Sequence, residues 1–258
     1  MEWPEIPRWP RRGVRFADSH LHLDSAESDQ IVANTEGAGA LLRACGVDRE
    51  TSERVLAYSA GHPGTVKPFV GLHPSEAGKG GGPSWVPGLL ERALGLGEVG
   101  LDPSYSPTGE GSAQLGAFRE QLRAAEARRV PVQVHSRGAE SQALDVLGSF
   151  RTGPVLMHWL EAEEALPAAI QRGYFVSFSP ALLYSKKLQR LARRCDPALA
   201  LAESDSPVAY APLGGVHGPT LVPSVAFRLA ELWGMPPLDA ISLTSGNAER
   251  FLGRHSKG

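Results

Sequence analysis

The chain has 258 residues, with 26 Lys and Arg against 28 Asp and Glu, two Cys and eight His. This length suits one large domain and is close to the ~250 residues of a single α/β barrel. Apolar residues make up 42% and charged residues 21% of the chain, which excludes wholesale disorder. The net charge of −2 argues against a protein that coats nucleic acid by bulk electrostatics, although it allows a small local contact.

Cysteine usage and the N-terminal residues predict a soluble protein of the cytoplasm. Cys45 and Cys195 are too few for a disulfide framework, so we expect buried thiols in a reducing compartment. Residues 1–12 contain no apolar stretch like that of a signal peptide, and no apolar run reaches the ~20 residues of a membrane helix. We therefore expect no membrane contact, and the sequence implies no obligate protein partner.

Short apolar segments alternate with segments of helical periodicity along the chain. Near-continuous apolar strands are typical of a parallel sheet covered on both faces, and their alternation with helices indicates βαβ units. In chain order, the predicted strands are Val14–Ala17, Ile31–Asn34 (the weakest), Lys67–Gly71, Gly97–Leu101, Val130–His135, Val155–His158, Phe175–Phe178 and Leu199–Glu203. The predicted helices are Ala113–Arg129, Gln142–Leu147, Glu163–Arg172, Lys186–Cys195 and Val225–Trp233.

These alternating units predict an α/β fold, a (β/α)8 TIM barrel, with residues 1–258 forming a single domain. An open doubly wound sheet is less favoured, because no GxxxxGK[ST] motif occurs. The glycine-rich segment Gly78–Gly82 is expected to be a surface loop. It is not expected to link domains, since too little chain precedes it for a complete barrel.

Histidines and carboxylates concentrate at the ends of the predicted strands, where a barrel places its chemistry. His20 and His22 lie two residues apart and therefore share one face of a strand, so both imidazoles can point into the barrel mouth. Such a pair suits a divalent ion, although it could also fill a polar cap. Left unpaired, buried ionisable groups cost several kcal/mol each, a cost that a metal offsets. Further candidate ligands at other strand ends are Glu98, His135, His158 and Asp205.

Several segments, in a fixed order, carry a resemblance to a known family. They are Ala17–Asp24 (ADSHLHLD), Val70–Pro74 (VGLHP), Gly97–Asp102 (GEVGLD), Pro131–Arg137 (PVQVHSR), His158, Val176–Ser179, Glu203–Pro207 (ESDSP) and Asn247. The ordered set resembles the TatD-type metal-dependent hydrolases, barrel enzymes often described as deoxyribonucleases. The resemblance spans nearly the whole chain, and it implies the same barrel fold and a hydrolase that acts on ester bonds.

The resemblance also implies two divalent metal ions, Zn, Mg or Mn. One ion would be surrounded by His20, His22, Glu98 and Asp205. The other would be surrounded by Glu98, His135 and His158, with Glu98 bridging the two ions. In the related phosphotriesterases and dihydroorotases a carboxylated Lys usually bridges the metals. The predicted strand that carries Glu98 contains no Lys, which favours the TatD branch.

A carboxylate-bridged metal pair lowers the pKa of a bound water, so that hydroxide can attack phosphorus near neutral pH. Glu98 and Asp205 are the candidate catalytic residues, with Asp205 orienting this water and accepting its proton. His73 could donate a hydrogen bond to a phosphate oxygen, or it could cap a strand end. Arg137 could clamp a phosphate, or it could pair with a barrel carboxylate such as Glu203. Glu203 is expected to orient a ligand histidine.

Two departures from the family pattern concern the substrate. The family usually shows His-Cys-Phe-Ser-Gly where this chain has His158–Ala162 (HWLEA), so Trp159 and Glu161 bring bulk and negative charge to the mouth. The family usually has two aromatic residues where this chain has Pro103–Tyr105. The leading prediction is a deoxyribonuclease that cleaves DNA ends or short nucleic acids. The alternatives are a hydrolase of a small ester, lactone or amide, and a non-catalytic metal-binding interaction protein.

A basic cluster follows the strand Phe175–Phe178. It could face a DNA backbone, but the favoured interpretation is a solvated outer helix face, with Leu188 and Leu191 turned to the barrel. The cluster consists of Lys186, Lys187, Arg190, Arg193 and Arg194.

Overall fold

The computed structural model describes residues 15–79, 81–215 and 217–253. Eight strands form one sheet in which each strand pairs in parallel with the next along the chain. They are β1 (Ala17–Leu21), β2 (Leu41–Cys45), β3 (Val66–Val70), β4 (Gly95–Gly100), β5 (Val132–His135), β6 (Val155–Met157), β7 (Phe175–Phe178) and β8 (Ala200–Ala202). The predicted (β/α)8 barrel is confirmed.

Helices alternate with the strands and cover the outside of the barrel. Their apolar residues pack on the strands, as Phe118 and Leu122 do on one buried face. The helices of the described chain are α1 (Ser28–Ala38), α2 (Arg49–Gly61), α3 (Val86–Leu89), α4 (Ala113–Arg128), α5 (Glu140–Leu147), α6 (Leu166–Gln171), α7 (Lys186–Arg194), α8 (Val222–Trp233) and α9 (Pro237–Phe251). None of them is both long and apolar enough to span a bilayer.

The barrel closes just beyond β8. The backbone N–H of Asp205 donates to the carbonyl of His20 at 3.0 Å, and the N–H of His22 donates to the carbonyl of Ser206 at 2.7 Å. These bonds join the segment after β8 to the end of β1. They therefore place the side chain of Asp205 beside the two histidines of β1.

The prediction for the second strand was wrong. Ile31–Asn34 lies within α1, where Val32 and Thr35 are buried at a helical spacing of three. A short apolar pair does not by itself distinguish a helix from a strand. The true second strand, β2, has the fully buried Arg43 at its centre, paired with Glu249 at 3.2 Å. This charged residue interrupts the apolar pattern by which a buried strand is recognised.

The first strand begins and ends later than predicted. Val14, its predicted start, lies outside the described residues, and β1 continues through Asp18, Ser19 and His20. All three of these polar side chains are buried. The sequence pattern placed them after the strand because buried strands are expected to be apolar. The described residues of the Gly78–Gly82 segment are exposed and belong to no helix or strand, as expected of a surface loop.

The basic cluster on α7 has the orientation that was favoured. Leu188 and Leu191 are buried against the barrel. Arg190 and Arg194 pair with Glu163 at 2.9 and 3.4 Å on the outer surface. The two cysteines are free and buried, as predicted.

Candidate metal centre

A cavity of about 510 Å³ opens at the carboxyl ends of the strands. This is the end of an α/β barrel where active sites form, and the volume suits a small organic ligand. His20 lies beneath its floor and is fully buried. The cavity is lined by five of the six predicted metal ligands, His22, Glu98, His135, His158 and Asp205.

Four potential ligand atoms on one side of the cavity face one another: His20 Nε2, His22 Nε2, Glu98 Oε2 and Asp205 Oδ1. The two nitrogens are 3.3 Å apart, and each lies 3.3–3.7 Å from the two oxygens. In a tetrahedral zinc site with bonds of ~2.0–2.1 Å, neighbouring donor atoms are separated by roughly 3.3–3.4 Å. The two nitrogens and Glu98 Oε2 therefore fit a divalent cation with little movement of the side chains, and Asp205 Oδ1 lies 3.7 Å from both nitrogens.

The second oxygen of Glu98 faces a different group of histidines. Glu98 Oε1 is 2.7 Å from His135 Nδ1, 3.6 Å from His73 Nε2 and 3.7 Å from His158 Nε2. The carboxylate thus stands between two clusters and offers one oxygen to each. His73 belongs to the second cluster by position, whereas the sequence suggested either contact with a phosphate or a cap of a strand end. His158 Nε2 also lies 3.9 Å from Asp205 Oδ1, close to both clusters.

Hydrogen bonds behind the rings orient two of the histidines. His20 Nδ1 donates to Gln133 Oε1 at 2.6 Å, and His22 Nδ1 donates to the carbonyl of Cys45 at 3.1 Å. A proton on Nδ1 leaves the lone pair of Nε2 directed at the cluster, as a metal ligand requires. Sequence reasoning missed both partners. Gln133 could have been found, because it lies two residues before His135 and so shares its face of β5.

Glu203 supports His158 in the same way. His158 Nδ1 lies 3.0 Å from the fully buried carboxylate of Glu203. Burial, together with the nearby His20, lowers the pKa of His158 to about 3, so its ring is neutral at pH 7. Burial also raises the pKa of Glu203, to about 7. Glu203 thus lies where the sequence analysis expected a residue that orients a ligand histidine.

The charges of the second cluster depend on His135. Burial alone would lower its pKa, but the carboxylates of Glu98 and Asp102 raise it to about 9. Burial would likewise raise the pKa of Glu98, yet His73, His20 and His135 hold it well below its ordinary value. A cation beside Glu98 would replace the proton on His135 Nδ1, the ring nitrogen that faces the Glu98 carboxylate. Burial lowers the pKa of His73 to about 3, leaving this ring neutral as well.

Asp102 is a site residue that the sequence analysis did not assign. Its Oδ2 accepts hydrogen bonds from His135 Nε2 at 2.8 Å and from Arg137 Nε at 2.9 Å. Its Oδ1 accepts from the backbone N–H and the hydroxyl of Ser104, at 2.8 and 2.5 Å. Arg137 therefore does pair with a barrel carboxylate, but the suggestion of Glu203 as the partner was wrong. The reason is that Asp102 closely follows the neighbouring strand, β4, whereas Glu203 is engaged by His158.

Left-handed backbone conformations occur at three positions around the cavity. Asp205 and Trp159 have φ values of +49° and +41°, which cost residues with side chains roughly 1–3 kcal/mol. The N–H of Trp159 donates to Ser177 Oγ at 3.1 Å and helps to hold this turn. Gly100 has a φ of +145°, and a Cβ there would overlap the carbonyl oxygen of His135. Only glycine allows β4 to approach β5 this closely.

The mouth of the cavity combines apolar and charged side chains. Three large apolar side chains of the described chain are exposed, and two of them, Tyr105 and Val208, line this cavity. Arg137 stacks on Tyr105, with its guanidinium carbon 5.5 Å from the ring centre. Trp159 and Glu161 complete this part of the lining. The mouth can therefore contact a flat apolar group and a charged group at the same time.

Comparison with known proteins identifies relatives over nearly the whole chain. The model of the family described as TatD related DNase matches residues 17–253, which include all candidate ligands. The human protein named Deoxyribonuclease TATDN3 is 26% identical, over 92% of this chain and 94% of its own length. The 3′-5′ ssDNA/RNA exonuclease TatD of Citrobacter rodentium is 24% identical, over 93% of this chain and 96% of its own length. The crystal structure of YJJV, a TatD homolog from Escherichia coli, has the same fold, with a TM-score of 0.77 at 21% identity over 94% of this chain and 99% of that one.

Proposed function

The chain belongs to the TatD related DNase family of metal-dependent hydrolases, and on that premise we propose that it is a phosphodiesterase that shortens DNA or short nucleic acids from their ends. The observation that carries this proposal is the position of Glu98. Its two oxygens face separate sets of histidine nitrogens, the arrangement that a carboxylate shared by two cations requires. Two metal ions close together are typical of enzymes that cleave phosphate esters.

We propose two divalent ions, Zn, Mg or Mn, as the cofactors. His20, His22, Glu98 and Asp205 would hold the first ion. Glu98, His135 and His158 would hold the second ion, with His73 close enough to take part. When bound, the ions would supply an activated water near neutral pH and neutralise the charge that builds on the phosphate oxygens.

The side chains around this centre would perform the remaining steps. Burial raises the pKa of Asp205, which suits a residue that orients the attacking water and accepts its proton. Arg137 is fixed by Asp102 and Ser104 and can bind a phosphate oxygen with its remaining N–H groups. Glu203 would keep the ring of His158 aligned.

The substrate proposal draws on the names of the relatives and on the mouth of the cavity. The human relative is named a deoxyribonuclease, and the Citrobacter relative a 3′-5′ exonuclease of single-stranded DNA and RNA. The exposed ring of Tyr105 beside Arg137 offers a base-stacking surface next to a phosphate site.

A location in the cytoplasm, and a single domain over residues 1–258, remain predictions from the sequence.

The proposal can be tested with metal-depleted protein that is reloaded with Zn, Mn or Mg in turn. End-labelled single-stranded DNA should be shortened only in the presence of metal, and a chelator should stop the reaction. Calorimetric titration should find two ions per chain in the wild type and fewer in Glu98→Gln. The exposed Glu164→Gln variant is the control for the loss of one carboxylate. DNA cleavage that persists in chelator, or turnover of small esters and lactones only, would contradict the proposal.

A further inference from the structure

Two charged residues at the mouth lie outside the candidate ligand set and have opposite signs. Among the described residues that line the cavity, Arg137 is the only Lys or Arg. Glu161 is the only carboxylate in this lining that is not a candidate metal ligand. It belongs to the segment where the chain departs from the usual family pattern, so family membership assigns it no role.

The two residues occupy different sectors of the mouth. Hydrogen bonds to Asp102 and Ser104, at 2.9 and 2.7 Å, hold Arg137 towards the loop after β4. Glu161 follows strand β6 and lies towards α7, with its carboxylate 3.9 Å from Lys187 Nζ. One sector of the mouth is therefore positive, and the sector nearer α7 is negative.

Lys187 offsets only part of the charge of Glu161. The separation of 3.9 Å is too long for a hydrogen bond, and the two side chains are 50% and 44% exposed. Exposed pairs of this kind interact weakly. Lys187 also lies outside the described lining of the cavity, whereas Glu161 is part of that lining. The carboxylate therefore presents its negative charge to whatever enters the cavity.

These charges discriminate between the two kinds of nucleic-acid end. A phosphate fits beside Arg137, but a phosphate about 6 Å from the Glu161 carboxylate would be disfavoured by up to roughly tenfold at an effective dielectric constant of about 40. A sugar hydroxyl in the same place would instead donate a hydrogen bond to the carboxylate. Building on the phosphodiesterase function proposed above, we propose that Glu161 determines specificity by selecting ends with a free hydroxyl over phosphorylated ends.

The experiment compares metal-loaded wild type, Glu161→Gln and the control Glu164→Gln on single-stranded oligonucleotides of one sequence. The oligonucleotides carry a hydroxyl at both ends, a phosphate at the 3′ end only, or a phosphate at the 5′ end only. The wild type and the control should prefer a hydroxyl over a phosphate at the attacked end about tenfold in kcat/KM. In Glu161→Gln this preference should shrink at least fivefold, mainly through a lower KM for the phosphorylated end.

Two further measurements separate the role of the carboxylate from other effects. The double variant Glu161→Gln/Lys187→Gln should show the same reduced preference, because the proposal assigns the effect to the carboxylate and not to a released Lys187. Calorimetric binding of a nucleoside monophosphate and of a nucleoside 3′,5′-bisphosphate reports the same preference without turnover. Glu161→Gln should bind the bisphosphate more tightly relative to the monophosphate than the wild type does.

The outcomes distinguish this inference from the function on which it rests. Cleavage by the wild type with an unchanged preference in Glu161→Gln would overturn the role of Glu161 and leave the phosphodiesterase function standing. A preference that returns to the wild-type value in the double variant would overturn it as well, by assigning the effect to Lys187. Failure of the wild type to cleave any of the oligonucleotides would refute the phosphodiesterase function, and the inference with it.

Discussion

Gln133 provides a sharp test of how the metal centre is built. It is fully buried, its Oε1 accepts the Nδ1 proton of His20, and its Nε2 has no hydrogen-bond partner among the described residues. The substitution Gln133→Met nearly preserves the volume but removes the acceptor behind His20. The ring then loses its strong acceptor and keeps only the weak contact of Nδ1 with Cys45 Sγ, at 3.6 Å.

The expected effects on stability and on metal affinity differ in size. A buried Nδ1–H of His20 that retains only the weak contact with Cys45 Sγ costs up to about 1–3 kcal/mol, but the substitution also removes the unpartnered Nε2 of Gln133, which carries a similar cost. The free energy of unfolding without metal should therefore change by no more than about 1 kcal/mol. Loss of a hydrogen bond behind a metal ligand lowers metal affinity about 10–100-fold, or roughly 1.4–2.7 kcal/mol.

Metal affinity should be measured by competition with a chromophoric chelator, and stability by urea unfolding in the presence of a chelator. The matched control is Gln189→Met on α7. Gln189 is also buried and donates to the carbonyl of Leu182 at 3.0 Å, but it does not contact the metal centre. The control should lose about 1 kcal/mol of stability and no metal affinity. An affinity in Gln133→Met within threefold of the wild type, or an equal loss in the control, would refute the reasoning.

Three further predictions concern the chemistry, the backbone and the response to acid. His135→Ala should abolish metal-dependent hydrolysis while far-UV circular dichroism stays native, and full activity would remove His135 from the site. Gly100→Ala should lower the free energy of unfolding in urea by roughly 3 kcal/mol or more, because a Cβ at this position overlaps the carbonyl of His135. Gly116→Ala, on an open helix surface, should be neutral or stabilising. Equal effects of the two substitutions would contradict this account. Burial tends to raise the pKa of Asp102, but hydrogen bonds from His135 and Ser104 outweigh it and hold this pKa below the ordinary 3.8. The stability that Asp102 contributes is thus present above about pH 4 and is lost as the pH falls towards the folded-state pKa. In the presence of a chelator, Asp102→Asn should therefore be less stable than the wild type at pH 7 and approach it below pH 4. A difference in stability that does not change with pH would count against this account.

The fold could be predicted because its signal is repeated along the chain. Apolar strands alternating with helices recur often enough that one wrong element, Ile31–Asn34, does not change the architecture. That error has a local cause. Arg43 is buried inside β2 and finds Glu249 on the last helix, more than 200 residues away along the chain. A pairing of this kind is invisible to a pattern that considers only neighbouring residues.

The candidate ligands could be predicted from their positions at strand ends. Parallel strands in a barrel deliver their carboxyl ends to one rim, so side chains far apart in the chain converge there. The residues behind the ligands could not be assigned in this way. Gln133 lies within a strand and Asp102 just beyond one, positions as ordinary as many others, and their roles depend on which ring nitrogen lies within about 3 Å.

The sequence by itself thus determined the class of fold, the family and the chemical types of the ligands, because these follow from periodicity and from residue identity at strand ends. The resemblance also implied how those ligands divide, but tertiary structure alone decided which atoms face one another. Glu98 offers one oxygen to each histidine set, and Arg137 pairs with Asp102 and not with Glu203. It also decided that Arg137 and Glu161 occupy separate sectors of the mouth. The reason is physical, since coordination and hydrogen bonding depend on distance and direction to within a few tenths of an ångström, and these are set only once the barrel has closed.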